Sequence, residues 1–239
     1  MISKLHVLFI MTLGIAAGFS TTIAFAYVGE VPNHHTIATH NVCYLKPSPG
    51  VNWSNCKTNF LDVHYADMTG ANLANMIAKN SLFYVAHLSG ANMQNTILAG
   101  SKFPYSDLSR VNFRGADLRN AEFYHTNLSG ADFTGAFLTG ARFVGADLSN
   151  AKLPNQNIDH TNLIGANLTN ANLENTMLTN IDMRGAIFDG SNLQNSNFGN
   201  SDVTGGSFAG ADLTGANIGG LDYSGADMSC HGHSICRGD

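Results

Sequence analysis

The chain has 239 residues and a formal net charge of −5, from 12 basic and 17 acidic side chains. That balance excludes the basic patch or stripe of a general nucleic-acid binder. Charged residues make up 12% of the chain, against about a quarter in ordinary globular domains. Asn, Gly, Ala and Leu fill the space, which marks a repeat rather than a conventional core.

Residues 1–26 read as a secretory signal peptide. Lys4 supplies the positive start, Val7 to Ala17 an apolar run, and Ala24-Phe25-Ala26 a small-x-small cleavage site. The run is short for a membrane span of about 20 residues, and Ser20, Thr21 and Thr22 interrupt it. Cleavage is expected, and no later segment is apolar enough to form a stable membrane span. Removal takes away Lys4 alone, leaving 12 − 1 = 11 basic residues against 17 acidic. Residues 27–60 read as an N-terminal cap segment, punctuated by Lys46-Pro47-Ser48-Pro49-Gly50. Tyr44 and Trp53 offer the apolar cover that an open solenoid end requires.

From Leu61 the sequence repeats every five residues. The centres run Val63, Met68, Leu73, Ala78, Phe83, Leu88 and onward to Tyr223 and Met228, so residues 61–230 hold 34 units without an insertion. Two residues before each centre the chain is usually Ala, Ser or Thr; one before, often Asp or Asn; two after, often Gly or Asn. Five matches neither the helical period of 3.6 nor the strand alternation of 2. Positions i−2 and i do share one side of an extended segment. Each unit therefore points a small and a large residue inward and the i−1 residue outward. The following Gly or Asn tolerates the positive φ of a tight corner.

Ala116-Asp117-Leu118-Arg119-Asn120, Ala146-Asp147-Leu148-Ser149-Asn150, Ala166-Asn167-Leu168-Thr169-Asn170 and Ala211-Asp212-Leu213-Thr214-Gly215 resemble the A-(D/N)-L-x-x motif of the pentapeptide-repeat family. The resemblance implies an all-β fold, a right-handed quadrilateral parallel β-helix with four pentapeptides per coil. It would have about 8 coils and be roughly 40 Å long at the usual strand spacing. A 20-residue coil also predicts core columns: Phe83, Phe103, Phe123 and Phe143 on one side, Phe113 and Phe133 opposite. Later Phe188, Phe208 and Phe198 occupy other columns, so the interior is repacked near residue 150. Large Met76 offsets small Ala78. Gln156, inward beside Pro154, needs partners and predicts a local bulge.

Residues 231–239 read as a short C-terminal cap loop. All four cysteines lie outside the repeats or at their edge. With the two caps separated by the rod, only Cys43–Cys56 and Cys230–Cys236 can pair within one chain, and export permits such bonds. The alternative is a metal site in Cys230-His231-Gly232-His233-Ser234-Ile235-Cys236, with His34, His35 and His40 near Cys43. Its spacing fits no standard zinc knuckle. The closing Arg237-Gly238-Asp239 matches an adhesion tripeptide too short to be informative. No nucleophile–base pair or phosphate loop stands out, so neither an enzyme nor a cofactor is expected.

Function must then lie on the outside. One column of i−1 slots reads Ile77, Ile97, Asp117, Phe137, Asn157, Met177, apolar where the motif wants Asp or Asn. Beyond the next column lie Tyr84, Tyr105 and Tyr124. Together they read as a flank for an unknown protein partner or self-association. The expected function is an exported, non-enzymatic scaffold in the periplasm, the extracellular space or a thylakoid lumen. The family resemblance offers an alternative: some members mimic DNA and bind type II topoisomerase (gyrase), which needs a cytoplasmic, strongly acidic protein.

Overall fold

The computed structural model describes Cys43 and residues 45–237. The segment read as a signal peptide, Tyr44, the three early histidines and Gly238-Asp239 lie outside the described residues. From Asn52 to Asp227, every fifth residue forms a β-bridge, and nearly every bridge joins residues 20 apart in parallel. The chain therefore closes one coil per four pentapeptides, nine coils in all, about 40 Å at about 4.8 Å per coil. Right-handed winding follows from strand twist, as in parallel crossovers generally. The outward bridge residues form four faces. Face I runs from Asn52 to Asp212, face II from Lys57 to Asn217, face III from Asp62 to Asp222 and face IV from Asp67 to Asp227.

Each pentapeptide is held by three kinds of bond. Strand backbones join successive coils, as where the N–H of inward Phe103 donates to the carbonyl of outward Glu122 at 2.7 Å. The corner closes on itself, as where Ala116 N–H donates to Phe113 O at 2.9 Å. An Asp or Asn at i−1 then accepts from the corner N–H two residues on: Thr134 N–H to Asp132 Oδ1 at 3.0 Å, Asp159 N–H to Asn157 Oδ1 at 3.1 Å. This last bond explains the motif's Asp or Asn, because it satisfies a corner amide that no neighbouring coil reaches. The i+2 corner residue is left-handed throughout, with φ of +67° at Gly210 and +58° at Asn120.

The interior is stacked. Phe83, Phe103, Phe123 and Phe143 lie ring on ring at 4.6–5.0 Å under face III, with Phe113 on Phe133 at 5.3 Å across from them. No core Phe lies between Phe143 and Phe188; Phe188 and Phe208 then stack at 4.9 Å with Phe198 edge-on. The aromatic columns have thus moved round by one side. Inward Ser and Thr bond the backbone: Ser101 Oγ donates to Ala78 O at 2.9 Å and Thr126 Oγ1 to Phe103 O at 2.6 Å.

Two features differ from the sequence reading. The ladder begins at Asn52, upstream of the 61–230 array. Val51, Trp53 and Cys56 take inward slots and are buried, so Val51 to Phe60 build half a coil rather than lying as a separate cap. At Gln156 no residue is inserted, and the 20-residue register holds on either side. Instead the face II ladder is interrupted: Asp117 bridges Phe137 and Asn157 bridges Met177, with no bridge from Phe137 to Asn157. Gln156 is 5% exposed, and its Nε2 donates only to Pro154 O, at 3.4 Å. The longer side chain wedges the two coils apart where a Ser or Thr would let them close.

Candidate partner-binding surface

Face II is built from the i−1 slots of nine coils, so its side chains point outward by the alternation of the strand. Ile77 bridges Ile97, Ile97 bridges Asp117, and Asp117 bridges Phe137. The column therefore places these side chains one coil apart. Phe137 is 60% exposed and Met177 43% exposed, while Ile77 and Ile97 are half-buried against their ladder neighbours. A depression of about 300 Å³ opens beside Phe137, lined by Asn95, Thr96, Ile97, Gly115, Asp117 and Arg119. Arg119 grips Asp117 with two bonds, Nε at 2.8 Å and Nη2 at 2.7 Å. That hydrogen bonding, helped by the Arg119 backbone N–H and charge, holds the Asp117 carboxyl below its usual range against the opposing effect of burial. The surface is thus apolar side chains around one neutralised ion pair.

The tyrosines do not join this face. Tyr84, Tyr105 and Tyr124 stand at the corner between faces III and IV, separated from face II by the whole of face III with its Lys102, Glu122 and Arg142. The single flank of the sequence reading is therefore two surfaces. At that corner the His64 ring stacks on Tyr84 at 4.9 Å and Tyr105 on His125 at 5.4 Å. Arg142 Nη1 donates to the Tyr124 hydroxyl at 3.0 Å. Tyr105 is exposed, while Tyr84 and Tyr124 are half-buried. The sequence reading missed Tyr65 and Val85 in this ridge. Their signal is that Tyr65, Val85, Tyr105 and His125 occupy consecutive left-handed corners, φ +51° to +57°, where the next five coils all use Gly. For Val85 this is a steric outlier.

Cys43–Cys56 and Cys230–Cys236 are both bonded, with Cα atoms 5.5 and 4.9 Å apart. The second bond overturns the metal alternative, because it consumes both thiolates. His231 lies 3.8 Å from Asp212, and His233 Nδ1 accepts from Ile235 N–H at 3.4 Å. Among the described residues no group of three or more His, Cys, Asp or Glu is placed to hold a metal ion. The loop instead caps the core. His231 bridges Asp212, Arg237 N–H donates to Met228 O at 2.8 Å, and Ile235 and Cys236 pack against the core.

A four-sided β-solenoid of five-residue units, presenting its variation on flat outer faces, is the architecture of a repeat scaffold. The family model for pentapeptide repeats matches in 8 copies, over residues 66–104, 106–145, 157–190, 166–205 and 191–229, and the chain belongs to that family. Among solved structures it is similar to HetL of the cyanobacterium Nostoc, described as involved in heterocyst differentiation regulation: 20% identity, 76% of this chain, 86% of that one, TM-score 0.38. It is similar to full-length QnrB1, a plasmid-mediated fluoroquinolone resistance protein, at 19% identity over 75% of this chain and 95% of that one, TM-score 0.36. A pentapeptide repeat protein of the Arabidopsis thaliana thylakoid lumen is 31% identical over 53% of this chain and 63% of its own, TM-score 0.24. A search of curated proteins found no match. No helix among the described residues is long and apolar enough to cross a membrane.

Proposed function

We propose that the protein is an exported, non-enzymatic scaffold that binds a protein through face II. One observation carries this reading. Ile77, Ile97, Phe137 and Met177 stand in slots where Asp or Asn would satisfy a corner amide, and Phe137 and Met177 are exposed there. The fold draws nothing evident from an exposed Phe at such a slot. Apolar exposure aligned on one face is the mark of a contact surface. Two disulfides support an oxidising compartment, which fits cleavage after Ala26. The test is affinity capture of the mature protein from its native extract, beside Phe137→Asp, with sequencing of the mature N-terminus. Loss of a stoichiometric partner in the variant is expected. Identical capture by both proteins removes face II from the reading, and an uncleaved Met1 in the purified protein removes export.

The topoisomerase alternative has only the late carboxylates of face III behind it. Arg184 lies between two of them, 2.7 Å from Asp182 and 3.8 Å from Asp202, which dilutes their field. Absence of gyrase inhibition by the purified protein disposes of it.

A further inference from the structure

Face II has a symmetry of chemistry that points to its partner. From Ile97 upward it reads Ile97, Asp117, Phe137, Asn157, Met177: apolar, polar, apolar, polar, apolar. The order is a palindrome centred on Phe137. We propose that face II binds a second copy of this chain, with the two rods antiparallel and a two-fold axis lying in the interface at Phe137. This rests on the scaffold reading of face II and names its occupant.

A two-fold axis in the plane of the face, perpendicular to the rod, inverts coil order and keeps each corner facing its own counterpart. Phe137 then meets Phe137 of the second copy. Ile97 meets Met177, and Asp117 meets Asn157, whose amide can donate to the carboxylate. The five rows pair in order, with the interrupted ladder between Phe137 and Asn157 lying to one side of the axis in each copy.

The corners provide an independent check. At the corner leading from face II to face III, the same axis pairs the coil of Arg119 with the coil of Asp159. A cation meets an anion twice, by symmetry. One step further out Ala99 meets Thr179. At the other edge of face II, Arg114 meets Pro154 and Gln94 meets Glu174. No two like charges oppose one another across the matched rows. Moving the axis up or down by half a coil destroys the pattern: Phe137 then faces Asp117 or Asn157, and Ile97 faces Asn157 or Asn197. Moving it down by a whole coil sets Asp117 against Asp117. The charge pattern and the apolar pattern therefore select one axis.

Faces I and III show no such match: Lys152 breaks the Asn and Asp column of the first, and the third ends in Asp182, Asp202 and Asp222. Face IV carries one exposed apolar residue, Ile187, directly opposite face II across the rod.

Sedimentation of the purified full chain, from about 1 to 100 μM, tests the proposal. The expected result is a rise to twice the monomer mass, with Phe137→Asp holding the monomer mass throughout. Position 137 is an Asp slot in the repeat, so this variant folds. Asp159→Arg is also expected to give monomer, and Asp159→Arg with Arg119→Asp to restore the dimer, which a merely structural defect would not do. Phe137→Cys, lying on the axis, forms a disulfide-linked dimer on mild oxidation, and Ile187→Cys does not. A monomer mass at every concentration overturns the proposal, as does equal cross-linking at 187 or failure of the charge swap to restore association. A monomer that still captures another protein through Phe137 overturns self-association and leaves the scaffold reading standing.

Discussion

Replacing Phe137 by Asn separates the two roles a phenylalanine plays in this chain. Phe137 is 60% exposed, so about two-fifths of its burial is at stake. At about 1.5–3 kcal/mol for full burial of such a side chain, its removal costs about 0.6–1.2 kcal/mol. The new Asn gains the corner bond made one row either side of it, where Arg119 N–H donates to Asp117 Oδ1 at 3.3 Å and Asp159 N–H to Asn157 Oδ1 at 3.1 Å. A bond of that kind contributes about 0.5–1.5 kcal/mol. The two terms cancel to within about 1 kcal/mol, or a shift in Tm of at most about 3 °C for a chain of this size. Phe103 is the control. It is fully buried and stacked on Phe83 at 4.6 Å and Phe123 at 5.0 Å, so Phe103→Ala costs about 3–5 kcal/mol. Thermal unfolding at about 1 μM, below self-association, measures both. A loss above about 3 kcal/mol in Phe137→Asn refutes the reasoning, because Phe137 would then be a packing residue.

Gly140 and Gly210 are both left-handed, at φ +73° and +67°, but a Cβ at 140 would overlap the Asn120 Oδ1 while one at 210 meets nothing within 4 Å. Gly140→Ala is expected to lower stability by about 1 kcal/mol more than Gly210→Ala, whose cost is the left-handed backbone alone; equal losses in urea unfolding would count against the packing of that corner. Phe60, φ +59° and 74% exposed, gains little from its ring, so Phe60→Gly is expected to raise stability by about 0.5–1 kcal/mol. Seven aspartates, among them Asp67, Asp117, Asp182 and Asp222, have pKa values held down chiefly by hydrogen bonds from Thr69, Arg119, Arg184 and Ser224. A lowered folded-state pKa contributes stability present above the unfolded value of about 3.9 and lost as pH falls through the folded values. Unfolding midpoints should be flat from pH 7 to about 5 and drop below about 4; a drop already at pH 6 would implicate the histidines instead. Reduction of Cys43–Cys56, 13 residues apart, should cost at most about 3 kcal/mol and loosen the first coils before the rest, seen as hydrogen exchange confined to residues near Trp53.

The fold was legible because its physics is local and repeated. An inward pair at i−2 and i, an outward i−1 and a left-handed i+2 recur so often that period and coil length follow from the Phe columns alone. What escaped notice lies where a unit departs from the pattern without breaking its geometry. Val51-Asn52-Trp53-Ser54-Asn55 is a full unit, but Trp in place of Leu, followed by Thr58 as the next centre, hides it. Gln156 could be placed in the interior from sequence. Its outcome could not, since a long inward polar side chain can be accommodated by an inserted residue or by parting the coils. Here the coils part, at the same height where face II carries Phe137. The error over Tyr84, Tyr105 and Tyr124 was one of projection: a corner residue one or two positions past a centre belongs to the next edge, not to the face it follows in the chain.

Departures from the repeat divide into two kinds, and the distinction decides which of them bear on function. Trp53, Gln156 and Met76 depart inward, where the interior takes up their bulk, at Gln156 by parting two coils. Phe137 and Met177 depart outward, at slots where Asp or Asn would bond a corner amide, and the fold supplies nothing in return. A sequence consistent at every level except one has its functional constraint at that level. On face II, from Ile97 to Met177, the order of apolar and polar residues is the same read upward or downward about Phe137, while one row further out Ile77 is answered by Asn197. A partner of arbitrary shape would not require such an order. A second copy, run the other way, does.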